Sequence, residues 1–410
     1  MKKSVIIIGG GPAGLAAAVK LYDEGISDIL IIEREKQLGG ILRQCIHDGF
    51  GLTRFKETLS GPEYAQRFID EVHKRNIAYI TNATVIDVTD EKVVTTTSSQ
   101  GVKQYHTNVI VLAMGCRERT RHALSIPGTR PAGIYTAGVA QAYMNLQNVM
   151  PGKEVIILGS GDIGMIMARR MTLEGAHVRG VFEILPHPSG LPRNIEQCLN
   201  DYEIPLYLSH TVVDIVGNSR LEGVTIAKVD ETHTPIPGTE VTYSCDTLIL
   251  SVGLIPENEL SIAAGVNLDE RTKGAKVDDN YQTNIKGIFA AGNVLHVHDL
   301  VDFVSMESER LAKSVTAYLE KENAYNDKII IKTDANIGYT VPQCVSGEQD
   351  FMLSMRVRKP WKDCVIELHT EAGCVKRVKM KKALPAEMIQ IPVKTESLKD
   401  TKQMEVKVLC

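Results

Sequence analysis

The sequence predicts an α/β protein built on two dinucleotide-binding βαβ units, and three observations predict it. Gly9-Gly10-Gly11-Pro12-Ala13-Gly14 follows the apolar run Ser4-Val5-Ile6-Ile7-Ile8. Gly159-Ser160-Gly161-Asp162-Ile163-Gly164 follows Val155-Ile156-Ile157-Leu158. Each unit then returns through a second apolar strand that ends on an acid, Ile29–Ile32 before Glu33 and Val178–Phe182 before Glu183. Loop and acid are repeated at the same offset of 150 residues. One such glycine pattern is weak evidence. Two in the same strand-loop-helix-strand context, each closed by a carboxylate, are strong evidence for two bound dinucleotides.

The chemistry of the pattern is the same in both units. Gly9 and Gly159 allow the tight turn, Gly11 and Gly161 let backbone approach a pyrophosphate, and Gly14 and Gly164 let the helix pack close to its strand. The start of the helix offers N–H groups and a positive dipole end to the phosphates. Pro12, Ala13, Asp162 and Ile163 lie in those first turns. Glu33 and Glu183 stand where a carboxylate accepts hydrogen bonds from ribose hydroxyls.

The remaining elements follow in order. Gly61-Pro62 opens a helix whose buried face is Tyr64, Phe68, Ile69 and Val72. Val85–Val88, Val93–Thr97 and Val109–Ala113 read as strands. The second unit ends on Thr247–Gly253 and Pro256. Gly287–Val294 is a strand running into a small-residue turn, and a helix begins near Val301. The tail shows short strands around Ile329–Ile331, Phe351–Val357, Cys364–Leu368 and Val406–Val408. It reads as a small β-rich domain without a motif.

Composition sets the bounds. A chain of 410 residues holds two or three domains. Apolar and charged contents of 43% and 23% are those of an ordinary globular protein, and a net charge of −4 gives no pull toward nucleic acid or anionic lipid. No apolar run is long enough to span a bilayer. The N-terminal run could pass for a secretory leader, but the Gly-Gly-Gly-Pro within it and the strand and Glu33 after it read as a folded βα unit, so the expected location is the cytoplasm. The eight cysteines (45, 116, 198, 245, 344, 364, 374 and 410) form neither CxxC nor CxC. No disulfide framework or metal site is expected.

Together these motifs resemble the pyridine nucleotide–disulfide oxidoreductase superfamily over about residues 1–325. The resemblance implies two Rossmann-like domains of the three-layer ββα type, the second inserted in the first. It assigns 1–115 and 284–325 to FAD, 116–283 to NAD(H), and leaves 326–410 as a β-rich C-terminal domain of unknown role. It adds further nucleotide contacts: Arg34, Gly40, Ile41, Leu42, Val85, Ala113, Met114, Gly115, Gly292, Asn293 and Val301 for FAD, and Val252 and Gly253 in the second unit. The family usually has Asp at position 293, and Asn can still exchange hydrogen bonds there. The helix at Val301 would turn its positive end toward the flavin pyrimidine. His296, His298 and Asp299 then either line the flavin pocket or cap their own loop.

The redox cysteines are the departure from this pattern. The stretch Gly40–His47 holds Cys45 alone, with His47 two residues on, and Ile134–Val139 holds no cysteine. A dithiol mechanism is not expected. Cys45 remains the one catalytic candidate, as a lone thiol cycling through a sulfenate or mixed disulfide. The run Gln44–Gly51, then Leu59–Tyr64, and Gly292–Asp299 resemble a non-disulfide branch. That branch comprises flavoproteins associated with anaerobic glycerol-3-phosphate dehydrogenase and the α subunits of amino-acid dehydrogenases. It implies electron transfer between NAD(H) and a partner flavin dehydrogenase, in a homo- or hetero-oligomer. Glu183 favours NADH, since a carboxylate suits a free 2′-OH and repels a 2′-phosphate. Arg179 nearby could bend that rule. Two other readings stay open: a stand-alone NADH oxidase or thiol/peroxide reductase using Cys45, and a non-catalytic flavin-bound assembly subunit.

Overall fold

The computed structural model describes residues 2–321, 329–398 and 401–409. The chain divides into two compact units, Met1–Cys116 with Pro256–Cys410, and Arg117–Ile255. Residues 256–283, expected in the inserted unit, group with the first instead. The reason is packing: Ala264, Val266, Ala275, Val277 and Tyr281 are buried in the first unit's core. The boundary expected at 325/326 lies outside the described residues.

In the first unit a parallel sheet runs in the order Ala78–Ile80, Ile29–Ile32, Lys2–Ile8, Gly101–Leu112. Ile288–Ala290 adds to it in register Ile288↔Ile110 to Ala290↔Leu112. The long strand Gly101–Leu112 also pairs antiparallel with Val93–Ser98, which pairs with Thr84–Val88. Its two ends differ accordingly. Val109, Ile110, Val111 and Leu112 are fully buried, as a strand covered on both faces demands. Helix Gly61–Lys74 starts where Pro62 predicts, and the Ser60 N–H donates to the Glu63 carboxylate at 2.8 Å. Tyr64, Phe68 and Val72 are its buried face, with Ile69 half-buried. Helix Val301–Lys321 packs on the same core through Val304, Leu311, Ala312 and Val315.

The second unit is a three-layer structure that a period of two explains. Its central parallel sheet runs Ile134–Thr136, Thr247–Leu250, Glu154–Leu158, His177–Glu183, Leu206–Leu208. Val155 and Ile157 pack with Met165, Met171, Ala137 and Ala140 of two helices. Ile156 and Leu158 face the other way, against Val212, Ile215, Val224 and Ile226 of a three-stranded antiparallel sheet. Alternate side chains of one strand therefore fill two cores. Each buried aliphatic contributes about 1.5–3 kcal/mol.

The tail holds a five-stranded and a three-stranded sheet around a core of its own that includes Ile337, Leu353, Met355, Ile366, Leu368 and Val406. The four expected strands form. Ile337–Val341, Cys344–Val345, Gly373–Ala383 and Ile389–Val393 complete the sheets. Gly373–Ala383 escapes a sequence reading because Lys and Arg alternate through it, with Val375, Val378 and Met380 packed partly on the core and only its last residue, Ala383, buried in it.

Candidate functional site

The first glycine loop leaves strand Lys2–Ile8 and enters helix Pro12–Asp23. Gly9 has φ +110°, and a Cβ there would lie 2.3 Å from the carbonyl oxygen of Ala113. A Cβ on Gly14 would lie 1.9 Å from the Gly9 carbonyl oxygen, so this glycine is what lets helix meet strand. The helix start carries Pro12 in its first turn, no acidic residue and no side-chain cap. Its N–H groups are thus open to an anion. Glu33 is buried at the end of its strand. One carboxylate oxygen accepts from Gly10 N–H at 2.7 Å and the other from Glu35 N–H at 2.8 Å. A carboxylate has about four acceptor sites, so Glu33 keeps room for a ribose.

The neighbouring segments converge on this loop. Gly40 (φ +56°) comes so near Gly11 that a Cβ would sit 2.9 Å from its Cα. Ile41 and Leu42 follow in a short 3₁₀ turn. Leu42 is buried, whereas Ile41 is 59% exposed and unclaimed by the core. Gly292 and Asn293 form another 3₁₀ turn after Ile288–Ala290, and a Cβ on Gly292 would strike Ala13 at 2.8 Å. Ala113 is buried, Met114 half-buried, and Gly115 takes φ +75°. Val85 packs on the same core, and Arg34 is exposed just after Glu33.

The second loop repeats the architecture with different chemistry. Gly159 has φ +96°, with a virtual Cβ 2.1 Å from the Ser251 carbonyl oxygen, and a Cβ on Gly164 would lie 2.6 Å from the Ser251 side chain. Gly161 precedes helix Asp162–Leu173, on which Ile163 lies half-buried. Val252 and Gly253 (φ +101°) follow the strand Thr247–Leu250. Glu183 is buried, and its Oε2 accepts from Ser160 N–H (2.9 Å), Ser160 Oγ (2.6 Å) and Ser189 Oγ (2.8 Å). Its Oε1 accepts from Leu185 N–H at 3.0 Å. The Asp162 carboxylate accepts from Leu191 N–H at 2.7 Å and Asn194 Nδ2 at 2.6 Å. Ser160, Ser189 and Ser251 were not singled out from sequence. Ser160 had a signal, since it sits inside the motif and its own N–H is the acid's partner.

Long helix Val301–Lys321 begins at the expected residue, but with a buried acid in its first turn. Asp302 accepts from Thr53 N–H at 3.0 Å, which places negative charge at the end expected to be positive. The loop before the helix is tied in two directions. Asn293 Oδ1 accepts from His298 N–H at 3.0 Å. Asp299 accepts from Arg356 at 3.1 Å and from Met388 N–H at 3.2 Å, and Arg356 also donates to the Val297 carbonyl at 3.2 Å. Strands of the tail therefore hold the loop that leads into the helix.

Behind that loop, Glu307 Oε2 meets His296 Nε2 at 2.7 Å and His298 Nε2 at 3.5 Å, with all three side chains buried. Burial pushes the His296 imidazole down to about 4. Burial works against the Glu307 charge as well, yet the adjacent imidazoles of His296 and His298 outweigh it and hold the carboxyl well below its usual range. Sequence reasoning missed Glu307, although an acid at helical spacing between Val304 and Leu311 was a signal. The ligand atoms of His296, His298 and Glu307, and those of Glu367, His369 and Cys374, lie within 4.8 Å of one another. In each group the carboxylate is already hydrogen-bonded, to His296 at 2.7 Å and to His369 at 2.8 Å.

Cys45 is 5% exposed, with its thiol 3.4 Å from the Ile41 carbonyl oxygen. Desolvation pushes the thiol up to about 12. It keeps its proton at neutral pH, the opposite of what a nucleophilic or redox thiolate needs.

The model of the family described as pyridine nucleotide-disulphide oxidoreductase matches residues 3–318. The chain belongs to that family. The family is one of flavin-dependent pyridine nucleotide oxidoreductases, consistent with two glycine cradles of one design. Family relatives include hydrogen cyanide synthase subunit HcnB of Pseudomonas protegens, 26% identical over 321 residues, covering 73% of this chain and 65% of that protein. One opine oxidase subunit from Agrobacterium tumefaciens is 28% identical over 319 residues, covering 70% and 60%. The chain thus spans less than two thirds of either relative. The fold is that of the crystal structure of T. acidophilum thioredoxin reductase, with TM-score 0.63 and 23% identity over 77% of this chain and 98% of that one. Among the described residues no helix is long and apolar enough to cross a membrane.

Proposed function

We propose that this oxidoreductase moves reducing equivalents between NADH and FAD and exchanges them with a partner dehydrogenase or another acceptor. The observation that carries the reading is the pair of cradles, each with its terminal acid bonded to a loop N–H: Gly10 to Glu33 at 2.7 Å and Ser160 to Glu183 at 2.9 Å. The first cradle fits FAD. Its helix start is uncapped, Gly11 and Gly40 leave no side chain in the way, and Glu33 keeps spare acceptor sites. Gly11, Ala13, Gly14, Glu33, Gly292 and Asn293 would hold the cofactor. The chemistry FAD supplies when bound is two-electron acceptance from a reduced nicotinamide and onward delivery.

The chain's own residues bind and orient. Hydride transfer needs no side-chain acid or base, which agrees with a buried, protonated Cys45 and disfavours a thiol or peroxide reductase. Glu183 supports NADH over NADPH, because its buried carboxylate would oppose a 2′-phosphate. A partner dehydrogenase is supported by two relatives that are themselves named as subunits.

Anaerobic titration of the FAD-loaded protein tests this. NADH should bleach the flavin band at about one equivalent per FAD, and NADPH should do so far less readily. Uptake of a second equivalent would restore a redox role to Cys45. No bleaching by either nucleotide would refute the proposal and leave an assembly role.

A further inference from the structure

The two cradles differ in one respect that bears on affinity. Glu33 Oε2 accepts one hydrogen bond, from Gly10. Glu183 Oε2 accepts three, and the third donor is Ser189, six residues downstream. A carboxylate oxygen has two lone pairs, so Oε2 of Glu183 has none to spare. Ser189 is itself held, its N–H donating to Ser160 Oγ at 2.9 Å. The next two residues lie over the start of helix Asp162–Leu173. A Cβ on Gly190 would sit 2.9 Å from Asp162 N and 2.8 Å from its carboxylate oxygen. Leu191 N–H and Asn194 then fasten the segment to that same carboxylate at 2.7 and 2.6 Å. The matching segment of the first cradle also crosses its loop, with Gly39 N–H donating to the Gly10 carbonyl at 2.8 Å and Gly40 lying against Gly11, but it presents no hydroxyl to Glu33.

We propose that Ser189 sets the dinucleotide affinity of the second cradle by occupying the acceptor site on Glu183 that a ribose hydroxyl of the adenosine half would take. The inference rests on the NADH reading of that cradle. Binding replaces the Ser189 hydroxyl by the ribose hydroxyl and lifts residues 189–191 from the helix start, where the pyrophosphate needs the N–H groups. A ligand that binds only the lifted form has its apparent affinity reduced by the fraction of protein in that form. Ser189 is thus a specificity-determining residue. It is displaced by a hydroxyl, which can donate to Glu183, and not by a 2′-phosphate, which cannot.

The test uses the FAD-loaded protein and ADP-ribose, which binds without reducing the flavin, followed by calorimetry. Ser189→Ala removes the competing donor and should lower the Kd for ADP-ribose about tenfold, the loss of one charge-assisted hydrogen bond. Gly190→Ala pushes the strap off Asp162 and should act in the same direction. 2′-Phospho-ADP-ribose should remain much the weaker ligand with and without Ser189, because the Glu183 carboxylate opposes its phosphate in the lifted form as well. An unchanged or raised Kd for ADP-ribose in Ser189→Ala, or binding of the 2′-phosphate as tight as that of ADP-ribose, overturns the assignment. NADH bleaching measured alongside separates the two failures. Bleaching with no Ser189 effect removes the strap role and keeps the NADH reading. No bleaching and no ADP-ribose binding by any variant removes both.

Discussion

The Glu307 carboxylate reaches back fifteen residues to the Gly292 N–H, at 2.8 Å. One oxygen thereby fixes the glycine turn that packs on Ala13, while the other receives His296. A side chain of the long helix thus holds in place the turn that is proposed to contact FAD. Glu307→Ala removes both bonds from a fully buried site and strands a backbone N–H. The expected cost is about 3 kcal/mol, together with a lower FAD content as purified. Thermal unfolding and the flavin-to-protein absorbance ratio check both. A variant that keeps full FAD content would show that the turn holds itself.

His296 gives the fold a pH dependence with a definite sign. In the unfolded chain its imidazole protonates near 6.5, and in the folded chain only at about 4, because burial disfavours the cation. Between those values the unfolded state binds more protons, so stability falls as pH drops through that window. Below about 4 this group adds no further loss. The full effect is about 3 kcal/mol. Glu307, His298 and Arg356 are the charges acting on it. Urea unfolding at pH 7, 5.5 and 4.5 should show the slope in the natural protein and a flatter one in His296→Gln. Equal slopes would sink the assignment.

The division between what was legible and what was not follows from how each feature is encoded. Glycine loops, terminal acids and buried strands are local patterns, and the structure places Gly9–Gly14, Gly159–Gly164, Glu33 and Glu183 in matching positions. Residues 256–283 carry no strong periodicity, and their side chains join the first core only through tertiary packing. Ser189 is a serine in a loop, and its bond to Glu183 depends on how that loop folds back. Arg356 grips Asp299 from a strand 57 residues away, which no spacing rule encodes. Cys45 was visible as a residue, but its reactivity is set by burial, which sequence does not display.

Cys45→Ser should leave NADH-dependent bleaching of the flavin unchanged. The thiol is desolvated and protonated, so no thiolate is lost. The replacement buries a hydroxyl in place of a thiol, at about 1–3 kcal/mol if it finds no partner. Alkylation with iodoacetamide at pH 8, mapped by mass spectrometry, should modify exposed Cys374 long before Cys45. Rapid labelling of Cys45, or loss of bleaching in Cys45→Ser, would reinstate the thiol mechanism.

The third glycine of each motif separates the roles of the two cradles. A Cβ at Gly14 meets the Gly9 carbonyl oxygen at 1.9 Å, a backbone atom that cannot rotate away. Gly14→Ala must therefore push helix Pro12–Asp23 off strand Lys2–Ile8, in the centre of the first core. Loss of FAD and a drop of several degrees in Tm are expected, since about 1 kcal/mol already moves Tm by about 2–4 °C in a domain of this size. At Gly164 the added Cβ meets the Ser251 side chain at 2.6 Å and the Gly159 carbonyl oxygen at 2.8 Å, both inside the second unit. Gly164→Ala should keep its FAD and its dithionite-reducible flavin, yet lose bleaching by NADH. Flavin content and the two reductions, measured on both variants, decide the matter. If Gly164→Ala loses FAD, or Gly14→Ala loses only its response to NADH, the assignment of FAD to the first cradle and NADH to the second is wrong.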